Sequence, residues 1–199
     1  MNTVSSLQGK LWDVFNLYSV DVRSKYLGSD HNYDHYYSAL DSIQDMSGAL
    51  YEFSSIQRKP TLLECLGFLQ CLVIQQDAVL LLSKIFGLTW DYDAETELVQ
   101  IRDVRNRVVG HPNKAAKRGP KSTAFFPSQT VCEESFEAVI QFKDKWKTES
   151  INFTNYLTRN EKALCQQLEK ILSAAIRVEK KMFKQQPYET YIGGVKQER

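Results

Sequence analysis

One segment concentrates groups able to grip and cleave a phosphodiester: Ile101-Arg102-Asp103-Val104-Arg105-Asn106-Arg107-Val108-Val109-Gly110-His111-Pro112. An imidazole moves a proton near neutral pH, and a guanidinium stabilises the charge that builds on a phosphorane. From Arg102 to Lys121 the chain carries seven cations (Arg102, Arg105, Arg107, Lys114, Lys117, Arg118 and Lys121) against one acid, Asp103, although the whole chain has a net charge of only +1. A charge run by itself is equally a solvated face, or a set of cations complementing a helix C-terminus. Placement is what singles out Arg105. At the helical step, Leu98, Ile101, Val104, Val108 and Val109 define an apolar arc, with Arg105 inside it, Arg102 at its border and Arg107 pointing away. A guanidinium on a buried stripe is costly unless it is paired or opens onto a cleft or a subunit interface. Asp77, Asp41 and Asp45 are the carboxylates available for a purely structural pair.

His111 sits between Gly110, which ends a helix, and Pro112, which cannot continue one. Its imidazole is therefore expected on a turn near Arg105, where a lone histidine would otherwise serve as a helix cap. Gln75, Gln76 and Asp77 interrupt the most apolar stretch of the chain. They either satisfy one another or line a cleft beside Arg105, with Gln76 and Asp77 supporting it from behind. Elsewhere, His31 and His35 stand four apart with Asp30 and Asp34 nearby, which is either half a metal site or a polar surface. Tyr33, Tyr36 and Tyr37 either stack on bases or belong to a core.

The elements that must position these groups are mostly helical. Leu7, Leu11, Val14, Tyr18 and Val22 form one apolar stripe, and Gly28 and Asp30 mark a turn. Tyr36, Leu40, Ile43, Leu50 and Phe53 predict a second helix ending before Lys59-Pro60. Pro60 suits the first turn of a third, apolar over most of its circumference as far as Gly87, which predicts the most buried element. A fourth helix starts near Asp91 or Asp93 and closes at Gly110-His111-Pro112. Phe136, Ala138, Ile140 and Phe142 then alternate with Glu137, Val139, Gln141 and Lys143 as in a strand, and Thr123–Val131 is its hairpin partner. Leu164, Leu168, Ile171, Ala175, Val178 and Met182 line one face of a fifth helix with charges opposite, suited to a bundle or to an intermolecular coiled coil.

The expected architecture is mainly α, an up-and-down bundle of four to five helices with a small inserted β-hairpin. Residues 1–186 form one domain, with the loop and hairpin inserted at about 113–150, and 187–199 form a flexible tail. With 43% hydrophobic and 25% charged residues, the composition is neither disordered nor that of a globally basic nucleic-acid binder. Cys65, Cys71, Cys132 and Cys165 lack metal-site spacing and read as reduced thiols of a cytoplasmic protein. No signal peptide is apparent, and the longest uninterrupted apolar run, Ala78–Leu82, is too short for a membrane span.

Arg105-Asn106, then His111 after five intervening residues, near the end of a long helix in a small bundle, resembles the signature of HEPN domains. The resemblance covers about Val4 to His111 plus the fifth helix and leaves out the hairpin. It implies a metal-independent endoribonuclease that needs no cofactor, of the kind found in toxin–antitoxin and phage-defence systems. It also implies a homodimer in which each copy supplies Arg105 and His111 to one cleft, with an antitoxin protein as a further possible partner and no membrane. His111 would be the general acid or base on the ribose 2′-hydroxyl, Arg105 would bind the scissile phosphate, and Asn106 would orient the pair. Arg102, Arg107, Lys114, Lys117, Arg118 and Lys121 would line the RNA path. The alternative is a non-catalytic HEPN-like module that binds RNA or protein.

Overall fold

The computed structural model describes residues 2–90, 96–110, 122–125, 127–142, 145–185, 191–192 and 195–196. Six helices account for most of them, with an inserted antiparallel sheet, which is the mainly helical bundle with a β insertion that the sequence predicts. The helices are α1 (Val4–Phe15), α2 (Val20–Leu27), α3 (Asp30–Ser54), α4 (Leu62–Ile85), α5 (Thr96–Arg105) and α6 (Phe153–Gln185). The strands β1 (Ser122–Phe125), β2 (Ser135–Phe142) and β3 (Lys145–Asn152) form the sheet, and β4 (Tyr191–Ile192) pairs with β5 (Val195–Lys196) inside the segment expected to be a tail.

The residues group into two compact units. The first takes residues 2–45, 77–90 and 163 onward; the second takes 46–76 and 96–162. In the first unit the stripe running from Leu7 to Val22 is two helices rather than one. A capping box of Thr3 and Ser6 starts α1, which stops at Phe15, and Tyr18 leaves the helical path to donate its hydroxyl to Glu179 at 2.8 Å. Both short helices still bury Leu7, Leu11 and Val22 of that stripe with Tyr36, Leu40 and Ile43 of α3, while Val14 and Tyr18 are only partly buried and Phe15, which is not on the stripe, is fully buried. Gly28, at φ 93°, ends α2 in the left-handed conformation that a Cβ disfavours. Val79 and Leu82 of α4 and Leu164, Leu168, Ile171 and Met182 of α6 complete this core.

In the second unit Thr61 and Glu64 form a capping box at the start of α4. Arg58 holds the Glu64 carboxylate with two nitrogens at 2.6 and 2.9 Å, and Pro60 lies just outside the helix. Arg58 and the Thr61 donors keep the Glu64 carboxyl at about 2. Taken whole, α4 is long and apolar enough to cross a membrane, although no uninterrupted run within it is. In the window concerned 56% is buried inside the protein, as expected of a core helix. Phe136, Ala138 and Ile140 of β2 point into a core with Leu69 and Leu72 of α4, Ile101 and Val104 of α5, and Phe153 of α6. β1 pairs with β2 from Ser122↔Phe142 to Phe125↔Val139, so the partner expected over Thr123–Val131 is a strand only as far as Phe125, and Ser128–Thr130 form a short 3-10 turn instead. A third strand, β3, pairs along the other edge of β2 and runs directly into α6, which therefore begins at Phe153, well before the stripe opening at Leu164.

Candidate nucleic-acid interface

α5 is anchored on one side by Leu98, Ile101 and Val104, all buried, and Val108 continues the anchor beyond its last residue. On another side Gln100 donates to Glu149 of β3 at 3.1 Å. The α geometry stops at Arg105. Asn106–Gly110 turn instead as a π-helix, a wider coil that recurs at functional sites, and β1 lies beside it. The helix expected to close at Gly110 thus changes character five residues earlier.

Arg105 is half-buried, and its partners are amides rather than acids. Its Nε donates to Oε1 of Gln70 on α4 at 2.8 Å, and one terminal nitrogen donates to Oδ1 of Asn106 at 2.8 Å. Arg105 makes no ion pair with a described residue of its own unit, and Asp77, Asp41 and Asp45, the expected partners, belong to the other unit. Two neutral acceptors orient the guanidinium without cancelling its charge, whereas a carboxylate would do both. Arg107 shows the contrast, since its Nε lies 2.8 Å from Oδ1 of Asp103 in an i, i+4 pair. Its partner is the one acid in the segment. Arg102 is half-buried, as are Arg105 and Arg107.

The residues expected behind Arg105 are elsewhere. Gln76 is 1% exposed and donates to Asn160 of α6 at 2.9 Å. Asn160 in turn donates to Gln75 at 3.0 Å, and Gln75 to Ser47 of α3 at 2.9 Å. Each of these amides finds a partner inside the second unit, as a buried amide needs wherever it falls, although Oε1 of Gln76 accepts no hydrogen bond among the described residues. Asp77 is exposed. The α4 residue that does reach Arg105 is Gln70, missed in the sequence although it too is a polar break between Leu69 and Cys71. His111, Lys114, Lys117, Arg118 and Lys121 lie outside the described residues.

His31 and His35 stack with ring centroids 3.8 Å apart, but among the described residues no group of three or more side chains is placed to hold a metal. Of the three tyrosines, Tyr36 is fully buried, while Tyr33 and Tyr37 hold the Arg23 guanidinium over their rings at 5.5 and 5.3 Å. All four cysteines are free. Burial pushes the Cys65 thiol up to about 11, whereas hydrogen bonding from Ser135 holds exposed Cys132 below the ordinary range. No protein-family model, no curated protein and no solved structure matches the chain.

Proposed function

We propose that this chain is a HEPN-like endoribonuclease that cleaves RNA without a metal, with Arg105 and His111 as its working pair and Asn106 orienting Arg105. The observation that carries the reading is the state of Arg105, a half-buried guanidinium set by two neutral amides and left with its charge available. The π turn gives further support. Its hydrogen bonds span one more residue than those of an α turn, so it takes up the five residues that separate Arg105 from His111. In the reaction, His111 takes the proton of a ribose 2′-hydroxyl, the 2′-oxygen attacks phosphorus, and the 5′-oxygen leaves and is protonated. Arg105 stabilises the charge on the non-bridging oxygens. The products are a 2′,3′-cyclic phosphate and a 5′-hydroxyl end. Two copies would form the cleft, and Arg102 and Arg107 would lie along the RNA path with Lys114, Lys117, Arg118 and Lys121.

The test is incubation with single-stranded RNA in chelator, followed by end analysis. Cyclic-phosphate ends are expected from the native chain and from Arg107→Ala, and none from His111→Ala. Cleavage that persists in purified His111→Ala and Arg105→Ala would overturn the proposal. Salt-sensitive RNA binding without cleavage would make the chain a binding module instead.

A further inference from the structure

Within the first unit, α3 and α6 carry long stripes of opposite charge that make no ion pair among the described residues. On α3, Asp30, Asp34, Asp41 and Asp45 fall within roughly 60° of one another at the helical step, all exposed, and the helix contains neither Lys nor Arg. On α6, Lys170, Arg177, Lys180, Lys181 and Lys184 fall within roughly 100°, also all exposed. The acids nearest this band are engaged elsewhere: Glu169 accepts from Asn2 and Glu179 from Tyr18. Along one edge of the band run Ile176 and Phe183, 38% and 58% exposed, seven residues apart and so on one line. These two are apolar surface that the unit leaves in water.

None of the four aspartates and none of the five cations makes an ion pair among the described residues, so the stripes do not satisfy each other within one chain. Their lengths match, since Asp30 to Asp45 spans about 22 Å and Lys170 to Lys184 about 21 Å at 1.5 Å per residue. We propose that a second copy of this chain docks here, the basic band of α6 in one copy lying along the acidic stripe of α3 in the other. Two-fold symmetry makes the contact twice, because each copy offers both stripes. Ile176 and Phe183 are covered at the edge of each contact, and the opposed charges set its register. The contact uses none of the residues assigned to RNA and does not rest on the ribonuclease reading; it is separate from the pairing of two copies at the Arg105 cleft, whose association the charge reversals below leave untouched.

Charge reversal on exposed positions tests this with little risk to folding, which circular dichroism checks. One variant carries Arg177→Glu and Lys180→Glu; the other carries Asp34→Lys and Asp41→Lys. In sedimentation the native chain self-associates, less so at high salt, and each variant alone associates about tenfold more weakly or worse. Mixed in equal amounts the two variants associate again, because the acidic α3 of the first meets the basic α6 of the second and the reversed pair also matches. Variants that self-associate as tightly as the native chain, or a mixture that associates no better than either variant alone, would overturn the proposal. So would a basic band needed only for binding anionic vesicles or RNA, with the aspartate variant indistinguishable from the native chain throughout.

Discussion

Helix α4 carries polar side chains at two levels, and they meet different fates. Gln75 and Gln76 enter a closed relay with Asn160 and Ser47 in which neutral groups exchange hydrogen bonds out of reach of water. Gln70, about one and a half turns earlier, gives its oxygen to a guanidinium that remains half exposed. Both arrangements are held by amide hydrogen bonds, yet only one retains a charge facing outward. A polar break in an apolar helix is therefore not by itself a sign of chemistry. What distinguishes Gln70 is that its partner is an ion whose charge it leaves in place.

Four experiments sharpen that contrast. Arg105→Ala is expected to lower RNA cleavage by about 10²–10³-fold, as removal of a transition-state charge partner does, while moving stability by no more than about 1 kcal/mol. A thermal melt beside a single-turnover assay separates the two. Asn160→Leu should do the reverse. Stranding the Gln75 and Gln76 amides costs about 3 kcal/mol, seen as a melting temperature lower by about 6–12 °C, and the folded fraction keeps its activity. Equal losses of activity in both variants would erase the distinction between the two levels. Gln70→Glu replaces a neutral acceptor by a carboxylate that cancels the Arg105 charge, so RNA affinity should fall about tenfold with no loss of stability. A variant that binds RNA as tightly as the native chain would show that this charge is not what RNA meets.

The smallest effect concerns the start of α4. The folded Glu64 carboxyl, at about 2, lies below its ordinary value of 4.5, so the folded state holds fewer protons than the unfolded one between these limits. Its contribution is complete above about pH 4.5 and is lost as pH falls toward 2. Because the group is exposed, the loss should be slight. Glu64→Gln should lower the melting temperature slightly at neutral pH and flatten its decline over that window, so that the two chains converge toward pH 2.

The sequence was most legible where burial imposes one period. The stripe of α6 and the nearly all-round apolarity of α4 both lead to the elements observed. The alternation of β2 was equally plain because Phe136, Ala138 and Ile140 face a core. β3 was not legible. Its residues Lys145, Trp146, Lys147 and Thr148 are all exposed, and a strand with two wet faces has no hydrophobic alternation to read. The break between α1 and α2 was hidden for the opposite reason, since both pieces serve one core and keep a helical spacing across the gap. At the site, Arg105 stood out because a cation on an apolar arc violates a rule. Gln70 did not, because an amide in a helix violates none, and its role depends on which residue of α5 comes to lie beside it.

The wide turn from Asn106 to Gly110 has a further consequence. Leu98, Ile101 and Val104 fasten the helix ahead of it to the core, so a residue gained or lost inside the turn leaves everything upstream in place and swivels only what comes after. Such a coil works as an adjusting screw. Deleting Val109, which keeps the anchor at Val108, should tighten it, turning the downstream side chains to a new bearing while the scaffold that carries them stays still.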